Sequence, residues 1–192
     1  MKSLFISIIV SVVFLSMMVG CKNSTDEAFL NTIQKTRIYI PYKKMYHVKC
    51  NRYAFDCNEK TFATIVHVID QYGCSGCKIS ELARVEILYE SLFDDNIIRS
   101  TYIVSATSAQ VEKIMPLLKQ YHLRNAIYID TCNAFLEANP QIPDNELFHT
   151  FVINNDGKVL MVGNPFQNEK MEALFKKVIA NEQKKDKSKK PV

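Results

Sequence analysis

One stretch constrains the fold of this chain more than any other: an apolar run, Ile65–Ile69, is followed by a Cys-x-x-Cys pair and then by a helical pattern. The apolar run has the length and composition of a buried β-strand. Beyond Cys77, apolar residues recur at helical spacing and define one face of a helix. These residues are Leu82, Val85, Tyr89 and Leu92. The stretch therefore predicts a strand, a tight turn and a helix whose first turn carries both cysteines.

The order Cys74-Ser75-Gly76-Cys77 places two thiols on one helical turn, close enough to form a small disulfide ring. At the start of a helix, unpaired backbone N–H groups and the positive end of the helix dipole favour a thiolate. We therefore expect the pKa of Cys74 to lie below the usual value of about 8.5. Lys78 adds a positive charge nearby. The pattern predicts that Cys74 attacks a disulfide and that Cys77 resolves the mixed disulfide.

A Cys-x-x-Cys pair has two other interpretations, a static disulfide and half of a zinc site. A structural zinc site needs two further ligands, which normally come from a second Cys-x-x-Cys or a pair of histidines. The chain has neither of these motifs. Because the pair also stands between a predicted strand and a predicted helix, we favour a redox-active dithiol.

The N-terminus resembles a targeting segment. A short basic start is followed by an apolar stretch, Leu4–Val19, that is too short for a membrane span. The stretch ends at Gly20-Cys21, as in a bacterial lipoprotein signal. We therefore predict a signal peptide at residues 1–20, lipid on Cys21, and a lipid-anchored protein of the cell envelope that faces the periplasm. The alternatives are an ordinary secretory signal and an N-terminal anchor helix.

Length and charge limit the remaining organisation. The chain has 192 residues, of which 47% are hydrophobic, enough for one domain. We place a tether at residues 21–35, the domain at residues 36–181 and a disordered basic tail at residues 182–192. The formal net charge of +4 equals that of the tail segment 184–190, with five lysines and one aspartate. The domain itself is nearly neutral, so we expect no nucleic-acid binding.

The other cysteines leave alternatives open. Cys50 and Cys57 enclose a short loop, which an oxidising compartment allows to close as a structural disulfide. A second redox pair and two free thiols are the other possibilities. Cys132 is interpreted as a small residue at a helix start, with a third redox thiol as the alternative. Apart from Cys21 the number of cysteines is odd, so at least one thiol is free or pairs between molecules.

Strand and helix patterns alternate along the domain. Such an order, ending in a hairpin and a helix, predicts a mixed sheet with helices on both faces. The predicted strands are Thr36–Pro41, Ile65–Ile69, Ile97–Ser105, Asn125–Asp130, Phe148–Ile153 and Lys158–Val162. Met45–Cys50 alternates loosely and is a further candidate strand. Besides the helix that carries the cysteines, the predicted helices are Ser108–Tyr121, Thr131–Asn139, with Thr131 as its cap, and Asn168–Ala180.

Three segments carry a resemblance to a known family: Ile65–Ile69, Gly73–Lys78 and Thr150–Val159. They resemble the thioredoxin-like fold, in particular the envelope thiol–disulfide oxidoreductases related to cytochrome-maturation thioredoxins. Ser108–Asp130 is similar to the helix–strand insertion of that group. The resemblance implies an α/β fold with a mixed central sheet flanked by helices. It also implies an enzyme without a cofactor, whose partners are envelope proteins with disulfides and a membrane or periplasmic electron donor.

The chain departs from the family at three positions. The family usually has tryptophan before the first cysteine, where this chain has Gly73. The family's cis-proline position is occupied by Phe148 or His149, and its buried acid maps near Val68. These departures leave a non-catalytic binding lipoprotein as an alternative to the enzyme.

A metal-binding module is the other alternative. His149 with Cys74 and Cys77 would form a partial copper or zinc site. A histidine at the edge of a strand is the simpler interpretation, so no metal is predicted. His67 lies in an apolar strand and is interpreted as a packed residue.

Overall fold

The computed structural model describes residues 32–33, 35–48, 61–69, 75–92, 98–121, 123 and 125–188, without the side chains of 75–77, 88–92 and 186–188. The chain divides into the units Met1–Thr32 and Ile33–Val192, and the fold below is that of the second unit. The predicted signal peptide, the lipidated Cys21 and most of the tether lie outside the described residues, as do Cys50 and Cys57. No helix among the residues that are described is long and apolar enough to cross a membrane.

The described part of the second unit alternates strands and helices around one sheet. The elements in chain order are β1 (Tyr46–Val48), β2 (Ala63–Ile69), α1 (Ser75–Leu92), β3 (Ile98–Ser105), α2 (Ser108–Tyr121), β4 (Ala126–Asp130), α3 (Ala134–Ala138), β5 (Thr150–Asn154), β6 (Val159–Val162) and α4 (Glu169–Ser188). Short 3-10 turns cover Tyr42–Lys44 and Glu146–Phe148.

The sheet has six strands in the order β1-β4-β3-β2-β5-β6. The strands β2, β3 and β4 are parallel, whereas β1, β5 and β6 run antiparallel to their neighbours. The β2-α1-β3 unit, completed by the β5-β6 hairpin and α4, has thioredoxin-like topology. The unit α2-β4 extends the parallel part of the sheet by one strand. The predicted α/β fold with a mixed sheet, flanking helices and an inserted helix–strand unit is confirmed.

Two apolar clusters attach three helices to one face of the sheet. The first surrounds Tyr102 of β3 and includes Ile79 and Leu82 of α1 and Ile114 and Leu118 of α2. The second contains residues of β2, β5, β6 and α4: Ala63, Ile65, Val152, Met161, Phe175 and Ile179. Because side chains alternate along a strand, Tyr128 of β4 lies on the opposite face, with its ring 4.9 Å from that of Tyr42. The strand β2 lies inside the sheet, between β3 and β5, and is buried.

The predicted leading strand Thr36–Pro41 is wrong. Only Arg37 forms a bridge, an isolated one to Lys158. Further along, the backbone N–H of Tyr39 donates to Asn139 Oδ1 at 2.9 Å, and its carbonyl accepts from Asn139 Nδ2 at 2.8 Å. These backbone groups are bound by one side chain and are therefore not available to a strand ladder. The first strand of the sheet is instead β1.

The predicted cap of the third helix is also wrong. The helix α3 begins at Ala134 rather than Thr131, and Thr131 is exposed. The carboxylate of Asp130 accepts hydrogen bonds from the backbone N–H groups of Ala134 and Phe135, at 2.9 and 2.8 Å. The last residue of β4 thus satisfies the free donors at the start of the helix, which the sequence pattern assigned to Thr131.

The final helix is longer than the sequence predicts. We expected it to end at Ala180 and a disordered tail to begin at residue 182, but α4 continues to Ser188. Glu182 contributes to this extension, because its carboxylate accepts from Asn154 Nδ2 at 3.2 Å and pairs with Lys185 at 3.0 Å. An ion pair at this spacing supports a helix. Residues 189–192 lie outside the described part of the chain.

Candidate functional site

The Cys-x-x-Cys pair stands where β2 is followed by α1. β2 ends at Ile69 and α1 begins at Ser75, so the backbone of Cys77 lies in the first turn of the helix. Cys74 directly precedes the helix in the sequence; this residue and the side chain of Cys77 are outside the described part of the structure. The predicted strand and helix on either side of the pair are confirmed. The roles of the two thiols stay predictions.

A cleft of about 270 Å³ lies beside the first turns of α1. One wall belongs to α1 and the other to the segment that leads into β5. The end of β2 lies between the two walls, and the loop before α4 completes the rim. The cleft is lined by His67, Val68, Ile69, Lys78, Glu81, Leu82, Val85, Glu146, Leu147, His149, Thr150, Asn164 and Gln167.

An ion pair joins the two walls of the cleft. Lys78 Nζ lies 2.8 Å from Glu146 Oε2. The hydrogen bond from Lys78 and its positive charge lower the pKa of Glu146 below its usual value, so the carboxylate is charged at neutral pH. We expected the charge of Lys78 to favour a thiolate in the Cys-x-x-Cys pair. Glu146 neutralises much of that charge, and the sequence held no signal for this partner.

His149 connects the start of β5 to the end of β2. Its side chain is buried, and its Nε2 donates to the carbonyl of Pro143 at 2.9 Å. Its own carbonyl accepts from the backbone N–H of Val68 at 2.8 Å. The bond to Pro143 leaves Nδ1 as the ring nitrogen for any metal. Among the residues that the structure describes, no group of three or more histidine, cysteine or carboxylate side chains is arranged to hold a metal ion.

His67 lies at the inner end of the cleft. Its ring is buried, it contacts the ring of Tyr102 at 5.4 Å, and its Nδ1 lies 3.3 Å from Thr150 Oγ1. Burial lowers the pKa of His67 from 6.5 to about 4, so the imidazole is neutral at pH 7. The packed interpretation fits this environment, but the sequence did not indicate that His67 also lines a cleft.

We predict that His67 makes stability depend on pH. The unfolded chain binds a proton on this residue near pH 6.5, whereas the folded protein does so only near the folded pKa of about 4. Protons therefore favour unfolding, and stability falls as the pH decreases through this window. The expected loss is about 3 kcal/mol. It is measured as the difference in unfolding free energy by urea titration at pH 7.5 and pH 4.

A substitution separates this effect from that of other titrating groups. His67→Gln should lose less stability than the wild type between the two pH values, while His47→Gln, which alters an exposed histidine, should behave as the wild type. Equal losses in the wild type and in His67→Gln would contradict the assignment.

Cys132 is an exposed free thiol just beyond the end of β4. Its Sγ lies 3.9 Å from the carbonyl of Lys44 and 3.9 Å from Asp130 Oδ1. The residue precedes α3, so it stands near a helix start as expected. No other cysteine side chain is among the described residues, and the state of Cys50 and Cys57 stays a prediction.

Similarity to known proteins was found among solved structures. No protein-family model matches this chain, and no curated protein sequence matches it significantly. Among solved structures, the chain is similar to a thioredoxin-like protein determined in the oxidized form in solution, with 15% identity, coverage of 77% of this chain and 98% of that chain, and a TM-score of 0.49.

Two further similar structures come from named bacteria. The C-terminal domain of a protein described as a thiol-disulfide oxidoreductase from Bacteroides thetaiotaomicron has 14% identity, coverage of 62% of this chain and 78% of that chain, and a TM-score of 0.45. An uncharacterized thioredoxin-like protein from Porphyromonas gingivalis has 14% identity, coverage of 61% and 73%, and a TM-score of 0.41. The thioredoxin-like topology is given by the order and directions of the strands in this chain.

Proposed function

We propose that this chain is a lipid-anchored thiol–disulfide oxidoreductase of the bacterial cell envelope, with Cys74 and Cys77 as its reactive pair. The supporting observation is that α1 begins at Ser75, directly after Cys74, and that the helix follows a buried central strand, β2. This is the arrangement that gives a thiol at a helix start access to unpaired backbone N–H groups.

In the proposed reaction, the thiolate of Cys74 attacks one sulfur of a substrate disulfide. A mixed disulfide forms, and the other substrate sulfur leaves as a thiolate. Cys77 then loses its proton and attacks the sulfur of Cys74, which releases the second substrate thiolate. Two electrons pass to the substrate, and the protein keeps a disulfide between Cys74 and Cys77. A dithiol electron donor in the envelope must reduce this disulfide before the next cycle.

The surroundings of the pair suggest how the thiolate of Cys74 is stabilised. Because Glu146 neutralises much of the charge of Lys78 at 2.8 Å, that lysine contributes little. The start of α1 is then the principal stabilising group, through its N–H donors and the positive end of its dipole. Such an effect does not require a nearby cation.

The location of the protein is part of the proposal. A lipid on Cys21 would attach the domain to a membrane of the cell envelope, facing the periplasm, where disulfides persist. The substrates would then be envelope proteins with disulfides, and the electron donor would be a membrane or periplasmic protein.

A trapping experiment tests the exchange. In Cys77→Ser, the mixed disulfide on Cys74 cannot be resolved by its neighbour, so covalent complexes with envelope proteins should accumulate. They should be visible as high-mass bands on non-reducing gels and disappear with reductant.

The matched control is the double variant Cys74→Ser, Cys77→Ser, which lacks the proposed attacking thiol and should form no such complexes. Complexes of equal abundance in the double variant, or none in Cys77→Ser, would contradict the proposed roles. The first result would assign the reactivity to another thiol, such as the exposed Cys132.

A further inference from the structure

The cleft beside α1 is sized for one side chain of a bound peptide. Its volume of about 270 Å³ is below the range of sites for larger ligands, which begins at about 300 Å³. The apolar part of its lining comes from β2 and α1 and is buried: Val68, Ile69, Leu82 and Val85. At the opposite rim, Leu147 is 67% exposed. These surfaces would pack against the methylene groups of a long side chain.

The charges on the described lining of the cleft do not cancel. Three ionic side chains of the described residues line it, and two of them, Lys78 and Glu146, form an ion pair with each other. The third, Glu81, is exposed, and no basic side chain among the described residues forms an ion pair with it. Glu81 lies one helical turn beyond Lys78, on the same wall. Its carboxylate gives the lining that the structure describes a net negative charge.

We infer that this cleft binds a lysine or arginine side chain of the protein whose disulfide is reduced. The stem of that side chain lies along the apolar lining, and its charged end reaches the carboxylate of Glu81. Lysine and arginine have this combination of an apolar stem and a cationic end. The inference rests on the proposed function, because it places the preferred substrates among envelope proteins with a basic residue close to the reactive cysteine.

Peptide binding tests this inference without thiol chemistry. Fluorescein-labelled peptides carry serine in place of cysteine and differ in one neighbouring residue, which is lysine, norleucine or glutamate. Norleucine keeps the apolar stem and lacks the charge. With the full-length chain in detergent at low salt, fluorescence anisotropy should show the lysine peptide binding about fivefold more tightly than the norleucine peptide. The glutamate peptide should bind most weakly.

Two substitutions test whether Glu81 is the group that causes the preference for the lysine peptide. Glu81→Gln should bring the lysine peptide to the affinity of the norleucine peptide. Glu112→Gln, which removes an exposed carboxylate on α2, should leave the preference unchanged. Circular dichroism checks that both variants are folded.

Three results would overturn the inference: no preference for lysine in the wild type, a preference retained in Glu81→Gln, or an equal loss in both variants. Because the peptides lack cysteine, their binding does not depend on disulfide exchange, and these results leave the proposed function untouched. If disulfide reduction depends on Cys74 but no charge preference is found, the proposed function stands and the assigned substrate class is wrong.

Discussion

Replacing Cys74 by serine is expected to abolish disulfide reduction by this protein. A thiolate, not a hydroxyl, is the nucleophile in disulfide exchange, and serine does not ionise at neutral pH. The rate of insulin reduction by a soluble form, residues 22–192, should fall by at least about a hundredfold, to the background rate of the reductant. The assay follows turbidity as the separated insulin chains precipitate.

The matched control for this assay is Cys132→Ser. Cys132 is exposed and free, so it is the described thiol most able to contribute a side reaction. Cys132→Ser should keep the wild-type rate. A normal rate in Cys74→Ser would show that the proposed attacking thiol is not needed. Loss of activity only in Cys132→Ser would assign the reaction to the thiol that follows β4.

Asp130→Ala is expected to lower the free energy of unfolding by about 3 kcal/mol. The carboxylate is buried, and it accepts the backbone N–H groups of Ala134 and Phe135 at 2.9 and 2.8 Å. The N–H of Cys132 approaches the same carboxylate at 3.3 Å. Removal of the side chain leaves buried donors unsatisfied, at a cost of about 1–3 kcal/mol each. The same two hydrogen bonds cap the start of α3, and loss of a helix cap typically costs about 1 kcal/mol.

Urea titration followed by circular dichroism measures this loss. Asp130→Asn keeps one acceptor oxygen and should show an intermediate effect. Asp156→Ala removes an exposed aspartate from the β5-β6 turn and should change stability by less than about 0.5 kcal/mol. If Asp130→Ala were as stable as Asp156→Ala, the carboxylate would not be the group that holds the start of α3.

The elements that the sequence predicts well are those whose signal is local. The apolar run Ile65–Ile69 corresponds to most of β2, and the apolar spacing after the cysteines corresponds to α1. The predicted helix Ser108–Tyr121 has the bounds of α2. In each of these elements, burial against the sheet follows from the pattern of the segment itself. The mixed sheet with flanking helices follows from the alternation of strands and helices and from the final hairpin.

One incorrect prediction involves a bond between distant parts of the chain, and another the choice between two adjacent residues. Thr36–Pro41 has a strand-like composition, but Asn139 binds the backbone of Tyr39 from 100 residues away. Thr131 has the right residue type for a cap, but Asp130 is already placed by the end of β4. A single sequence does not reveal which of two adjacent polar residues meets the helix.

Only part of the candidate site was predicted, because its other residues are distant in the sequence. The Cys-x-x-Cys pair and Lys78 lie in one local pattern, and the structure places a helix over that pattern. Glu146 and His149 reach the same place only because β5 pairs with β2. The partner of Lys78 and the cleft that it spans therefore depend on the tertiary fold, which no spacing in the sequence encodes.

We expect Cys74 and Cys77 to form a disulfide that is reversibly reduced. Equilibration of the protein with redox buffers, followed by alkylation and mass spectrometry of both thiols, tests this expectation. We predict one two-electron transition that involves both residues and is absent in Cys77→Ser, with a midpoint between about −270 and −120 mV. Two thiols that stay reduced throughout, or a disulfide that persists below about −300 mV, would contradict it.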